Sequence, residues 1–344
     1  MHKGMGRNKI VLVFIGIIVL TMIFFEARSS YPKIIFVDDD FTNDPANHKW
    51  NNIEDAINDA NDGDTIFVFN GTYPKNIFIN KEISIVGLGE NVVLEGIGKD
   101  YTINILSENV TLENLKLRNA TKALIKISED NVTINNCSFI GNNITGLEIN
   151  ANNIDLRNCR IEGTFIAINA SGRNIRVIHA SVENPAKGWG IMLKNSKDCL
   201  FENISISNIE NKSFKIENSS NITLSKISVN NSFCGILLLE TNNSSLSFIN
   251  LSENKIGIKV EKSFNNTIRD CNFLRNIGYG IYLENSYNNS IYHNNFIDNG
   301  INAFDDGANI WNKSVGNYWS NYTGKDENLD GIGDEPYIID GNSI

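Results

Sequence analysis

The chain has 344 residues, 41% of them hydrophobic and 20% charged, enough for a substantial core and too many for one small compact domain. Thirty basic side chains against forty acidic ones leave a net charge of −10, which excludes the basic footprint needed to grip a phosphate backbone, so no nucleic-acid partner is expected. Asparagine is the anomaly, at 56 residues, while the five cysteines show neither CxxC pairs nor a tight disulfide framework and read as small buried side chains.

Residues 1–28 open the chain with Lys3, Arg7 and Lys9 ahead of an unbroken apolar run over 10–25, the layout of an export signal. The run is slightly short for a membrane span of about 20 residues, yet the following Glu26, Ala27, Arg28, Ser29 and Ser30 give no clean small-x-small cleavage site. A cleaved signal peptide and a retained N-terminal anchor both remain open. Either puts the rest of the chain outside the cytoplasm, extracellular or at the cell surface, with membrane contact confined to this segment.

A short apolar strand over 34–37 runs into Asp38, Asp39 and Asp40, which read as a solvated turn, a cap contact or a second cation site. Trp50, Ile53, Ala56, Ile57 and Ala60 then recur at helical spacing before Asp62-Gly63-Asp64, predicting an amphipathic helix over 50–61 that plugs the first coil of the strand-rich region beyond it. Strand patterns come next over 65–69, 76–79 and 83–86, with turns at Asn70-Gly71 and over 87–89.

From Asn109 to about Asn309 the sequence repeats itself every 22 residues or so. Nine units begin at Asn109, Asn131, Asn153, Asn174, Asp198, Asn221, Asn243, Asn265 and Asn288, and the fourth position of each is apolar, from Leu112, Ile134 and Leu156 through to Ile268 and Ile291. Positions seven and nine alternate as in a strand, and a second alternation follows a glycine at Gly146, Gly190, Gly235, Gly257 and Gly280. Each unit thus carries about three short strands and cannot bury its own apolar side. Coils stacked about 4.8 Å apart can. The pattern predicts an all-β right-handed single-stranded parallel β-helix over 29–310, about eleven or twelve coils and roughly 55 Å long.

Asparagine at the first position then marks a corner, where the amide tolerates left-handed backbone and bonds to its equivalents above and below. The same bias creates nineteen Asn-x-Ser/Thr sequons, most of them accidents of composition, although an exported protein could be glycosylated at some. Cys137 and Cys159 share one inward slot on successive coils, with Cα atoms about 5 Å apart but side chains too parallel for a good disulfide, so a stacked pair of thiols is expected.

Catalysis on such a scaffold needs paired carboxylates, or a base beside a cation, on one outer face. Asp270 and His293 both fill position six of successive units, with Asp298 just beyond, and these three are the best catalytic candidates in the chain. A corner His beside an Asp is more often an ion pair or a ladder substitute.

Residues 311–344 leave the repeat and concentrate Trp311, Tyr318, Trp319, Tyr322 and Tyr337, which suit a packed cap over the last coil or rings on which saccharides stack. Within this segment Asp326, Asn328, Asp330 and Asp334 place side-chain oxygens at loop positions 1, 3, 5 and 9, with Gly331 at 6 and the carbonyl of Ile332 at 7. Hard oxygen ligands at that spacing select Ca2+ in a structural role. Position 12 is Tyr337, so this is not an EF-hand.

The repeat, the segments around Asp38 to Asp40, Trp50 to Ile57 and Gly63 to Ile66, and the tail from Gly316 to Ser320 with Asp330 to Asp334 resemble the NosD-like, carbohydrate-binding and sugar-hydrolase group of parallel β-helices, particularly its exported archaeal forms. The resemblance covers nearly everything after residue 34 and implies the fold firmly but the activity weakly, because the group spans polysaccharide lyases, epimerases, hydrolases, copper-delivery proteins and surface proteins. A polygalacturonase would carry Asn-Thr-Asp, Gly-His-Gly and Arg-Ile-Lys sets that are absent here, and Arg269 or Arg275 as a lyase base lacks a surrounding carboxylate set. Copper is not expected, since Met192 is the one methionine beyond the export segment. The reading is a non-catalytic, exported protein that binds polysaccharide or cell-envelope glycan, with a polysaccharide-active enzyme, a copper-related periplasmic protein or a purely structural surface rod as alternatives.

Overall fold

The computed structural model describes residues 31–183, 188–313 and 315–339. The expected export segment, residues 1–28, lies outside them. Among the described residues no helix is long and apolar enough to cross a membrane.

The chain winds into a right-handed parallel β-helix of about eleven coils with three faces. A representative coil has Thr267–Arg269 on the first face, Asn272–Leu274 on the second and Tyr279–Glu284 on the third. Through most of the repeat the strands pair in parallel with their equivalents 22 or 23 residues away, as in Leu224↔Leu246, Phe273↔Phe296 and Ile258↔Ile281, while the first coils are less regular, with Thr65↔Ser84 and Ile85↔Leu112. The third face is a separate sheet of eleven strands. The first and second faces merge into one sheet because Ile175–Glu183, Leu200–Ser207 and Thr223–Asn230 run unbroken around the corner between them.

One apolar column fills the interior, with the fourth-position side chains from Leu112 to Ile291 at 0–1% exposure. Glycine recurs at the second residue of third-face strands for a steric reason. A Cβ on Gly257 would sit 2.4 Å from the carbonyl oxygen of Gly280, and one on Gly280 would sit 2.6 Å from that of Asn302. The five cysteines are buried and unbridged, Cys137 and Cys159 included.

At the N-terminal end the helix α1 spans Ile53–Asp59, shorter than the expected 50–61. Asn52 caps it by accepting a 2.9 Å hydrogen bond from the Asp55 N–H, and Trp50 belongs instead to the short strand Lys49–Trp50, which pairs with Ile34–Val37. Ile53, Ala56 and Ile57 are buried against the first coil, so the plug is present where expected. The turns expected at Asn70-Gly71 and over 87–89 are bends inside two long strands, Thr65–Pro74 and Ser84–Glu95. Their mutual pairing carries both around the corner, with one register shift between Phe69 and Gly71.

At the other end the sheet continues past residue 310. Tyr318–Trp319 pairs with Asn295 and Phe296, and Phe273, Phe296, Trp319 and Tyr337 stack with ring centroids 4.5, 4.4 and 4.1 Å apart. The aromatic tail therefore closes the core, while Tyr318 points outward at 59% exposure.

Candidate functional site

The corner between the first and second faces holds position six of every repeat. Asn114, Asn136, Asn158, His179, Asn203, Lys226, Phe248, Asp270 and His293 all adopt left-handed backbone, with φ between 50° and 56°. Asparagine accepts this geometry readily, whereas Lys226 and Phe248 accept it only because the pairing on either side of the corner dictates it. Asp270 and His293 are thus neighbours in one corner column, His293 Nδ1 lying 3.7 Å from Asp270 Oδ1. The other Asp270 oxygen accepts from the Arg269 guanidinium, and Arg269 in turn lies over the Phe248 ring. Asp298 is not part of this group: it sits at the far end of Asn295–Ile297, at the next corner, where its N–H donates to Ser320 Oγ at 3.0 Å. The structure brings together two of the three catalytic candidates and gives the carboxylate of that pair a cationic partner.

A second set of asparagines, not foreseen from the sequence, points inward. Asn254, Asn266, Asn276, Asn289 and Asn294 are at most 1% exposed. In each, the side-chain oxygen accepts the backbone N–H of the equivalent position one coil earlier (Asn254 N to Asn276 Oδ1 3.1 Å, Ser244 N to Asn266 Oδ1 2.9 Å) while Nδ2 donates to a carbonyl of that coil (Leu251 O 3.0 Å, Thr241 O 2.8 Å). These amides satisfy backbone groups where the chain turns away from the sheet ladder. The coils just before carry Ser232, Ser244 and Cys271 at the equivalent positions, and Asn294 interrupts the apolar pattern read at position seven because its Oδ1 accepts the Cys271 N–H at 3.0 Å.

The 326–334 loop is compact. Asp326 Oδ2 accepts from Gly331 N–H at 3.0 Å, Asn328 Oδ1 from Asp330 N–H at 3.0 Å, Asp330 Oδ1 from Ile332 N–H at 2.8 Å and Asp334 Oδ2 from Glu327 N–H at 2.6 Å, with Leu329 and Gly331 left-handed. Among the described residues, the acidic side chains that draw their oxygens within 4.8 Å of one another are Asp38, Asp39 and Asp40. Asp39 there also accepts from the Thr72 N–H at 3.3 Å.

The most developed surface lies on the third face, where the first and fourth residues of most strands point outward, as in Tyr279–Glu284, while in Cys234–Leu239 both are buried and the preceding Phe233 is exposed instead. Along one edge, rings and ammonium groups alternate: Trp189, Lys212, Phe233 and Lys255. Lys212 Nζ lies 4.8 Å from the Trp189 ring centroid and 6.0 Å from that of Phe233, and Lys255 Nζ lies 4.8 Å from the Phe233 centroid. Phe233 is 45% exposed. Toward the C-terminal end, Tyr282 stacks on Phe304 at 4.6 Å and meets Tyr279 edge-on at 4.9 Å. Lys215 and Lys259 on the neighbouring row are bound to Glu217 and to Glu261 and Glu284. The inward periodicity that defines the coils carries no trace of this surface; its signal in the sequence is the aromatic and lysine content of the same strands.

Fold and surface together define a right-handed parallel β-helix protein whose faces carry ordered side-chain columns. The chain belongs to the NosD family: residues 150–324 match the family described as periplasmic copper-binding protein (NosD). No curated protein matches the sequence. Among solved structures, the chain is similar to a GH136 lacto-N-biosidase from Eubacterium ramulus, at 10% identity and a TM-score of 0.53 over 91% of this chain and 72% of that one. It is also similar to the AlgE4 A-module of an Azotobacter vinelandii mannuronan C-5 epimerase (13% identity, TM-score 0.48, 74% of this chain and 90% of that one) and to the pectate lyase Pel9A (14%, 0.45, 90% and 87%).

The described residues do not fit a copper ion. Burial pushes the thiol of Cys137 up, those of Cys159 and Cys199 to about 11, and those of Cys234 and Cys271 to about 12, which keeps the five sulfurs protonated inside the core. His48 is bound through Nδ1 to Asp59 at 2.7 Å in the N-terminal cap, and His179 and His293 lie five coils apart. No described cluster of three metal-binding side chains includes a histidine or cysteine.

Proposed function

We propose that this protein is exported and binds polysaccharide or cell-envelope glycan on its third face without cleaving it. The observation that carries the reading is the array of partly exposed rings along the rod axis, with Trp189, Phe233 and Tyr279 at one edge of the third face and Tyr282 and Phe304 on the row inside it. Rings with one apolar face and a wet edge suit the apolar faces of sugars. The basic and apolar start of the chain and the periplasmic description of its family support the location. The pairing of Asp270 with Arg269 and the distance of Asp298 from that corner argue for a corner ladder there, since glycosidic cleavage needs two carboxyl groups across the scissile bond. A structural calcium ion in the loop of Asp326, Asn328, Asp330, Ile332 and Asp334 belongs to the same reading: a cation takes the oxygens that now accept backbone amides and fixes the segment beside the cap.

A glycan-binding screen with the exported portion tests this. Retention of at least one saccharide class, reduced at least tenfold by Tyr282→Ala with Phe304→Ala, with the polymer recovered at unchanged length, is expected. Shortening or epimerisation of a polysaccharide that Asp270→Ala abolishes would replace the reading with the enzymatic one, and absence of any retained saccharide would leave a structural rod.

A further inference from the structure

The chain is acidic as a whole, yet the outer edge of its third face is not. Lys212 and Lys255 stand two coils apart, about 9.6 Å along the axis, on either side of Phe233. Neither makes an ion pair with a carboxylate among the described residues; Lys212 Nζ has only the Asn211 amide oxygen, at 3.4 Å. The lysines of the neighbouring row on these same coils differ. Lys215 is held by Glu217 at 2.6 Å, and Lys259 by Glu261 and Glu284 at 2.9 Å each, so their charge is answered within the protein. Over these coils the face is therefore polarised across its width, with neutralised pairs along one side and two ammonium groups without an ion pair framing an exposed ring along the other.

From this we infer that the third-face edge formed by Lys212, Phe233 and Lys255 is a subsite for an anionic linear polysaccharide, carrying carboxylate or sulfate groups. The inference rests on the saccharide-binding reading above and names the charge class of the ligand. Acid groups on neighbouring units of the polymer meet the two ammonium groups, whose separation of about two coil rises spans about two sugar units, and the exposed edge of Phe233 between them contacts the sugar that joins those units. The lysines already sit over aromatic rings, which limits their rotamers, so less side-chain freedom is lost when the anion arrives. Charge steering also favours this edge over the rest of an acidic surface, which repels the same polymer and so sets its orientation along the rod.

Three polymers separate the possibilities: polygalacturonate for carboxylate, dextran sulfate for sulfate, and uncharged dextran, each titrated against the exported chain by affinity electrophoresis and calorimetry. The expected result is binding of one of the two anionic polymers at least tenfold tighter than dextran, weakening as salt rises from 50 to about 300 mM. The double variant Lys212→Gln with Lys255→Gln should lose about tenfold in that affinity and most of its salt dependence, with an unchanged circular dichroism spectrum and melting temperature. Equal, salt-independent binding of all three polymers, untouched by the lysine variant, would overturn the charge assignment and leave saccharide binding standing. Loss of binding to every saccharide would remove both. Retention of single-stranded DNA as tight as that of the anionic glycan, with the same lysine dependence, would overturn the saccharide assignment in favour of a generic polyanion site.

Discussion

Replacing Asn276 by alanine measures what the inward amides contribute. Its Oδ1 accepts from the backbone N–H and from Nδ2 of Asn254, each at 3.1 Å, and its Nδ2 donates to the Leu251 carbonyl at 3.0 Å and to Asn299 Oδ1 at 2.8 Å. The Asn254 amide nitrogen keeps a second partner in Val229 O, and Asn299 Oδ1 keeps the Asn276 N–H, so two buried backbone groups, the Asn254 N–H and the Leu251 carbonyl, each lose this partner. At about 1–3 kcal/mol for each unsatisfied group the loss is about 4 kcal/mol. The outer corner provides the comparison. Asn153 bonds to Asn131 at 3.0 Å and accepts from Asn174 at 2.9 Å, but water replaces both contacts, and Asn153→Gly keeps the left-handed backbone available, so its cost is at most about 0.5 kcal/mol. Equilibrium urea unfolding followed by far-ultraviolet circular dichroism and by tryptophan emission compares the two variants. Losses for Asn276→Ala and Asn153→Gly that agree within 1 kcal/mol would refute the assignment of the inner amides as backbone substitutes.

Three further outcomes are expected from the geometry. Trp319→Ala, which removes the ring stacked between Phe296 and Tyr337, should cost about 3 kcal/mol, and hydrogen exchange should accelerate in Asn295–Ile297 and Ile301–Asp305 while Thr133–Asn135 stays protected. The buried thiols have folded values raised above the ordinary 9.0, so their contribution to stability is complete below pH 9 and is lost as pH rises through about 11 to 12; a thiol reagent at pH 8 should modify none of the five cysteines until denaturant is added. If calcium occupies the C-terminal loop, chelator should lower the melting temperature of the wild type and leave that of Asp330→Ala unmoved, and identical melts with and without chelator would dismiss the ion.

The solenoid was legible in the sequence because its signal is spread over nine repeats: the fourth-position residues from Leu112 to Ile291 mark one inward point per coil, and the structure buries every one of them. The N-terminal plug was legible too, although α1 stops short because Trp50 is taken by strand pairing with Val37. Asp270 and His293 were correctly placed in one column, since residues that share a repeat position share a corner. Asp298 was misjudged as their companion: closeness along the chain means little where three residues of strand carry the backbone to the next corner. The inner asparagines escaped because an amide at a core position looks like an interruption until the backbone groups it serves are known. The third-face edge escaped for a different reason, since each ring and the ammonium group beside it sit on successive coils, 21 to 23 residues apart in sequence, and outside the inward pattern.

Because each inner amide in the C-terminal half is bonded both to the coil before it and to the coil after it, these turns cannot be peeled off singly under tension. Pulling on the C-terminus should leave the rod intact until several turns give way at once, producing long steps in a force trace, whereas turns nearer the start of the chain, where serine, cysteine or aliphatic side chains hold the equivalent positions, should come away in smaller steps. The side chains turned inward at the corners thus grade the mechanical strength of the rod along its length.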